Sequence, residues 1–256
     1  MNFEERVAIV TGASSGIGAA VAVDLARRGA RVVAVARRQD RLTAVVESCR
    51  ISSPESVAHQ ADVSSREACE EIVRATESRL GRVDVVVNNA GISIHKNATQ
   101  TSVDDVERVM AVNFFGPVFL SSAALPGMLD RRSGSIINVT SVAGYVPNPG
   151  ESAYGASKAA LSRWSHGLAV DLHGTGVHVG VLSPGPIDTE IWSLDEQSTY
   201  RGKLYPPAVV AAGVARMIER GLTHLTVPRR YGAVGALYPL LGRPMRWGMR
   251  RYDERA

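Results

Sequence analysis

Tyr154 and Lys158 stand four residues apart in the stretch Tyr154-Gly155-Ala156-Ser157-Lys158. That spacing puts both side chains on one face of a helix, one turn apart. A phenol with a pKa of about 10 exchanges protons poorly near neutrality, and a neighbouring ammonium can lower that value by about 1–3 units. Such a pair is a candidate general acid/base, a role worth about 10²–10⁴-fold in rate. The same pattern also occurs on ordinary surface helices, so its meaning depends on its surroundings. Ser141 follows the apolar run Ile136 to Val139 and precedes Tyr154 by thirteen residues. A hydroxyl at the carboxyl end of a strand and a tyrosine early in the next helix can converge on one carbonyl oxygen. No G-x-S-x-G elbow accompanies Ser141, and the six histidines show no metal-ligand spacing. Neither a hydrolytic triad nor a metal centre is expected.

The elements that must position these groups begin with Val7-Ala8-Ile9-Val10, which runs into Thr11-Gly12-Ala13-Ser14-Ser15-Gly16-Ile17-Gly18 and then a helix-forming run from Ala19 to Arg28. Strand, glycine loop and helix in that order form a phosphate-binding signature. Gly12 permits the tight turn, Gly16 lets a pyrophosphate approach the backbone, and Gly18 lets helix and strand pack closely. The helix N-terminus offers unpaired N–H groups and a favourable dipole. No Gly-Lys-Ser/Thr follows, which excludes a Walker loop.

Similar punctuation recurs. Arg28-Gly29, Leu80-Gly81, Ser133-Gly134, Gly174/Gly176 and Gly221 each precede an apolar, β-branched run, the pattern of a glycine C-cap followed by a buried strand. With Val7 to Val10 and Ser56 to Gln60, about seven strands alternate with helices. The expected fold is α/β, a single Rossmann-type doubly wound domain with a parallel sheet and helices on both faces. Ligands then belong at the carboxyl ends of the strands.

The end of the second strand bears on coenzyme choice. An acid placed there would hold a ribose 2′-hydroxyl, but the sequence reads Ala36-Arg37-Arg38. With no carboxylate to repel it, a 2′-phosphate would meet a guanidinium suited to bidentate contact. NADP(H) is therefore the expected coenzyme, with Arg37 as main contact and Arg38 as support; NAD(H) is the alternative. Asp62, in Ala61-Asp62-Val63, could accept from an adenine amino group or belong to the N-cap region of a helix beginning near Ser64-Ser65. Asn88-Asn89-Ala90-Gly91 could bridge adjoining strands and let a ribose lie close, or form a simple turn. In the helix expected from about Ser102 to Leu129, Pro117 removes the amide that would bond to the carbonyl of Asn113, leaving either a kink or a carbonyl able to hold a water.

Taken together, Thr11 to Gly18, Asn88 to Gly91, Asn113, Ser141, Tyr154-x-x-x-Lys158 and Pro184-Gly185-Pro186-Ile187-Asp188-Thr189 resemble the classical short-chain dehydrogenase/reductase family. The resemblance covers roughly the first 228 residues. It implies Tyr154 as general acid/base, Lys158 as the group that tunes it and binds the nicotinamide ribose, and Ser141 as the donor to the substrate oxygen. It also implies a water on the main-chain carbonyl of Asn113. The implied cofactor contacts are Gly12, Ser14, Ser15, Gly16, Ile17, Gly18, Arg37, Arg38, Asp62, Val63, Asn89, Ala90, Gly91, Tyr154, Lys158, Pro184, Gly185, Ile187 and Thr189. Ser15 stands where some NADP-dependent members carry a basic residue, so the phosphate preference rests on the arginines. The implied activity is NADP(H)-dependent interconversion of a ketone or aldehyde and an alcohol. An NADPH-binding regulator and a carrier-bound 3-oxoacyl reductase are the alternatives. A homodimer or homotetramer is implied as well.

Composition bounds the remainder. The chain is 256 residues long and 45% hydrophobic, enough for one large domain. Two cysteines and an acidic, apolar-poor N-terminus point to a reducing cytoplasm without a secretory signal. No run approaches the roughly 18 apolar residues of a membrane span. Seven arginines against two acids in residues 229–256 carry the excess positive charge, so the first 228 residues are near neutral and nucleic-acid binding is not expected. Residues 1–228 read as the catalytic domain. Residues 229–256 read as a basic, apolar extension packed on it or on a partner subunit, and membrane contact is the less favoured reading. Residues 190–206 read as a mobile lid in which Trp192, with Tyr145 from the loop near His95, lines an apolar pocket for a bulky ketone.

Overall fold

The computed structural model describes residues 3–190 and 202–233, together with Tyr238 and Gly242. Seven strands, β1 (Val7–Thr11), β2 (Arg31–Ala36), β3 (Val57–Gln60), β4 (Val85–Asn88), β5 (Gly134–Val139), β6 (Val177–Pro184) and β7 (His224–Val227), form one sheet. Its order is β3-β2-β1-β4-β5-β6-β7, and every pairing is parallel. The helices are α1 (Gly16–Arg27), α2 (Gln39–Arg50), α3 (Arg66–Leu80), α4 (Val103–Met110), α5 (Gly116–Asp130), α6 (Ser152–Asp171) and α7 (Ala208–Arg220). Each strand's apolar run splits by the two-residue period between two layers. Ala8, Val10, Val32 and Ala34 face α1, α2 and α7, whereas Val7, Ile9, Val33 and Val35 face the layer of Ile72, Leu120 and Met128. Strand order reverses between β1 and β4, which opens a crevice at their carboxyl ends where the glycine loop and Asn88–Gly91 emerge.

The helix expected from Ser102 to Leu129 is present but is not uniform. Ser102 and Asp105 form a reciprocal capping box, and Ala111–Phe115 widens into a π-helical turn before α5. Gly116 and Pro117 follow that turn, and Pro117 has no amide to offer the Asn113 carbonyl one turn back. The combined helix, 28 residues from Val103 to Asp130, is long and apolar enough to cross a membrane by length and composition. Here it packs against α3 and α6 and buries Val109, Leu120, Ala124 and Met128.

One expected cap differs. Gly81 and Gly221 end α3 and α7 in the left-handed conformation, but Gly134 is the first residue of β5 and Arg132 takes the positive φ after α5. Gly134 is needed for space, since a Cβ there would lie 2.5 Å from the Met128 side chain.

Candidate active site

At the crevice a cleft of about 940 Å³ opens. Among the residues singled out from sequence, Gly12, Ser14, Ser15, Gly16, Ile17, Arg37, Arg38, Asp62, Val63, Asn89, Ala90, Gly91, Ser141, Tyr154, Lys158, Pro184, Gly185, Ile187 and Thr189 line it. Gly18 and Asn113 lie behind the lining and act on it from there.

The glycine loop is shaped by contacts that only a missing side chain allows. Gly12 has φ +65°, and a Cβ there would sit 2.8 Å from the Cα of Ala90. At Gly18 a Cβ would lie 2.2 Å from the carbonyl oxygen of Gly12, so the first turn of α1 rests directly on the loop. Ser15 is the N-cap of α1, yet its hydroxyl makes no cap bond; it accepts instead from Arg38 Nη2 at 2.8 Å. The first amides of the helix therefore stay available to a ligand in the cleft. Across the crevice, Thr11 Oγ1 accepts from the amides of Asn89 and Ala90 at 3.0 Å each, and Asn89 Nδ2 donates to the Thr11 carbonyl at 3.0 Å. These bonds lock the two loops together.

The reactive side chains are brought together by a tight contact between α6 and the turn after β5. Ser141 caps a 3₁₀ turn, Val142–Gly144, accepting from the Ala143 amide at 3.1 Å. A Cβ on Gly155 would meet the Ala143 carbonyl at 2.9 Å, and one on Gly144 would meet the Ala159 amide at 3.0 Å. Only with glycine at both places can α6 settle against the turn and bring Tyr154 to Ser141. Lys158 is buried and donates to the Val139 carbonyl at 3.1 Å, with its Nζ 5.8 Å from the centre of the Tyr154 ring. Asn113, fully buried in the π turn, holds the cleft edge through both sides of its amide. Its Oδ1 accepts from the Ile92 amide, and its Nδ2 donates to the Ile92 carbonyl and to Ser157 Oγ, all at 2.9 Å. Ser157 Oγ in turn donates to the Tyr154 carbonyl at 2.7 Å.

The acidified phenol expected from sequence is not found. Burial, with a further push from the Glu151 carboxylate, drives Tyr154 up to about 12, against a hydrogen bond with Ser141 that favours ionisation. Burial also lowers Lys158 to about 8. The physical reason is burial: both side chains are held away from water, which disfavours the charged form of each.

Asp62 makes an Asx turn, accepting from the Ser64 amide at 3.0 Å and hydroxyl at 2.8 Å, while Ser65 is the actual N-cap of α3. Burial raises the Asp62 pKa, but these bonds and the nearby Arg37 outweigh it and hold the group below its ordinary value. Arg37 lies 3.7 Å from Asp62 and is largely exposed. Arg38, expected as support, reaches the glycine loop itself through Ser14 and Ser15.

The substrate-facing side departs from expectation. Tyr145 turns away from the cleft; its hydroxyl pairs with Ser183 Oγ at 2.9 Å and its ring faces His224. Tyr205 is anchored by a bridge to Ile187, and Tyr231 packs against Gly185 where a Cβ would lie 2.7 Å from its ring. Trp192 and Tyr200 lie outside the described residues, as do the arginines from 243 onward. The cleft wall here is polar. His95 Nε2 pairs with Glu151 Oε1 at 2.6 Å, Asn148 Nδ2 donates to Glu151 Oε2 at 2.7 Å, and Lys96 donates to Asp105 at 2.7 Å. Ser93 Oγ, also on the cleft, is buried with no hydrogen-bond partner among the described residues. Glu151, Ser157, Asn148 and Ser93 escaped sequence reasoning; Glu151 and Ser157 join the site through His95 and Asn113, distant in the chain, and Asn148 through Glu151. Among the described residues no group of three or more His, Cys, Asp or Glu is placed to hold a metal ion.

Comparison with known proteins agrees with this geometry. A family model described as short chain dehydrogenase matches residues 6–199. A short chain dehydrogenase of Pseudocercospora fijiensis is 36% identical over 228 residues, 88% of this chain and 70% of the relative. An uncharacterized oxidoreductase of Staphylococcus saprophyticus is 36% identical over 84% of this chain and 92% of its own length. Among solved structures, a short chain dehydrogenase/reductase from Burkholderia phymatum in complex with NAD aligns with TM-score 0.87 and 25% identity, covering 95% of this chain and 96% of the other. A 3-ketoacyl-(acyl-carrier-protein) reductase from Brucella melitensis complexed with NADH gives TM-score 0.81 and 28% identity over 88% and 97%. With that family model spanning most of its length and its cleft built from the same motifs, this chain belongs to the short chain dehydrogenase family and is an oxidoreductase of it.

Proposed function

We propose that the protein is an NADP(H)-dependent oxidoreductase interconverting a ketone or aldehyde and an alcohol, with Tyr154 giving the proton in the reducing direction. The observation that carries this reading is the Ser141–Tyr154–Lys158 cluster at the end of β5, facing the glycine loop across one cleft. The open amides of α1 and the missing Cβ atoms at Gly12, Gly16 and Gly18 fit a pyrophosphate. Asn89, Ala90 and Gly91 suit a ribose, and Ile187 and Thr189 suit a carboxamide. When bound, the nicotinamide supplies or accepts the hydride.

The residues of the chain do the rest. Ser141, whose oxygen accepts from Ala143 and whose hydroxyl hydrogen-bonds Tyr154, turns its O–H to the substrate oxygen when a carbonyl enters and fixes that carbonyl in place. A phenol pushed up to about 12 keeps its proton throughout the neutral range, and an alkoxide forming on the substrate is a far stronger base than phenolate, so transfer runs downhill. Lys158 stabilises the phenolate that remains, in a dry site where one ammonium counts for more than in water. The Asn113 carbonyl, deprived of an amide partner at Pro117, is proposed to hold a water that returns a proton toward Lys158.

Preference for the phosphorylated coenzyme rests on Ala36 with Arg37 and Arg38, since the related structures named above hold NAD and NADH. The polar pairs His95–Glu151 and Lys96–Asp105 favour a neutral substrate with a hydrogen-bonding group beyond its carbonyl over a purely apolar ketone. A self-assembling oligomer is part of the proposal, supported by the half-exposed Phe115, stacked on Phe119, and by exposed Val103 and Val106 on the same long helix. So is a cytoplasmic setting, consistent with two buried free thiols. The test is a panel of ketones, aldehydes and alcohols followed at 340 nm with each coenzyme. Turnover with NADPH exceeding that with NADH is expected; binding of NADPH without turnover of any carbonyl or alcohol would support the regulatory reading instead.

A further inference from the structure

Glu190, six residues beyond the end of β6, reaches across the mouth of the cleft to the start of α2. There one of its carboxylate oxygens takes Arg38 Nη1 at 3.1 Å and the other takes Arg41 Nη1. Arg38 also donates to Ser15 Oγ at 2.8 Å and Ser14 Oγ at 3.2 Å, so two guanidinium groups and two glycine-loop hydroxyls surround this spot. It lies directly past Ala36, where β2 ends without an acid, and Glu190 lines the same cleft. A carboxylate bridging two guanidinium groups uses the donor pattern that a phosphate monoester would use, and the phosphate carries about −1.5 to −2 charge against the carboxylate's −1.

We propose that Glu190 occupies the subsite of the coenzyme's 2′-phosphate, that Arg41 is a further arginine of that subsite, and that displacement of Glu190 sets the balance between NADPH and NADH. The proposal rests on the assignment of the coenzyme to this cleft. The exchange is feasible because all three side chains are about 40–46% exposed, a setting in which ion pairs are weak and easily broken. A 2′-hydroxyl carries no charge to compete for the arginines, so NADH gains nothing from the exchange.

The experiment is titration calorimetry of the full chain with NADPH and with NADH, for wild type, Glu190→Gln, Arg41→Ala, Arg38→Ala and the Glu190→Gln/Arg41→Ala double variant. The expected result is a rise of about three- to tenfold in the NADPH-to-NADH affinity ratio for Glu190→Gln. That gain should shrink as salt screens the exposed charges. In the Glu190→Gln background, Arg41→Ala should lower NADPH affinity about fivefold and leave NADH affinity within twofold. An unchanged or lower ratio in Glu190→Gln, with Arg38→Ala still losing NADPH selectively, would overturn the proposal and leave the phosphate assignment standing. If no arginine variant moves the ratio, the coenzyme assignment itself is wrong, and Glu190 falls with it.

Discussion

The two walls of the cleft are built by different means. The glycine-loop wall is mostly backbone, the Gly12 turn and the first amides of α1, held by the Thr11 and Asn89 side chains where parallel strands end. The facing wall is made of side-chain pairs, His95 with Glu151 from a distant part of the chain and Lys96 with Asp105 at the start of α4. A backbone wall tolerates almost no change of residue, because its shape excludes a Cβ. A wall of paired side chains keeps its backbone when one member changes, so it can alter what it binds without altering the fold. Damage to the first should abolish coenzyme binding, and damage to the second should retune substrate and pH dependence with the coenzyme still bound.

The largest effect is expected at Gly18. Placing a Cβ 2.2 Å from the Gly12 carbonyl forces loop and helix apart. Gly18→Ala should abolish measurable NADPH binding and cost about 3 kcal/mol in urea unfolding, the upper end for overpacking. A Gly18→Ala protein that bound NADPH normally would refute the backbone account of this wall. Next is Asn113→Ala, which strips partners from the Ile92 amide and carbonyl and from Ser157. A loss of about 2–4 kcal/mol is expected, since each buried group left unpaired costs about 1–3 kcal/mol. Glu151→Gln should leave NADPH affinity within about twofold, while the alkaline limb of the kcat/KM profile moves to lower pH. The sign follows from the charge: the Glu151 carboxylate holds the Tyr154 proton more tightly, and its removal lets the phenol ionise earlier.

The smallest effect is on stability in mild acid. His178 Nε2 donates to the Leu222 carbonyl at 3.0 Å, so Nδ1 accepts from Ser135 Oγ at 2.8 Å and the ring is neutral. Burial lowers its pKa below the ordinary 6.5, against the Leu222 bond that raises it. The unfolded chain therefore takes the proton first. Stability from this group is complete above about pH 6.5 and falls as pH drops through that value toward the folded-state pKa. Urea midpoints at pH 7.5 and 5.5 should differ less in His178→Gln than in wild type; an equal difference in both would assign the acid sensitivity elsewhere.

The same contrast decides what could be read from the chain alone. The sheet, the crevice and the glycine loop follow from short-range rules, an apolar run, a glycine and a helix former in sequence, so their positions were legible residue by residue. Tyr154, Lys158 and Ser141 could be singled out from their types and positions, but their roles came only from the resemblance of the motifs taken together. The polar wall was not legible, since nothing near His95 announces Glu151. Nor was the direction of the Tyr154 shift, because burial and a carboxylate supplied by the N-cap of the same helix outweigh the hydrogen bond from Ser141. Tyr145 was placed in the pocket from its loop position, whereas the partner that holds it, Ser183, comes from β6.

In the proposed reaction the Tyr154 phenol gives its proton to the substrate oxygen, inside a cleft whose glycine-loop wall holds the coenzyme without it. Single-turnover reduction by Tyr154→Phe, on a carbonyl that the wild type reduces and with NADPH affinity measured on the same preparation, tests that claim most directly. The predicted result is a fall of about 10²–10⁴-fold in the rate of NADPH oxidation with affinity unchanged within about twofold. A rate within tenfold of wild type would contradict it and require another proton donor at the end of β5.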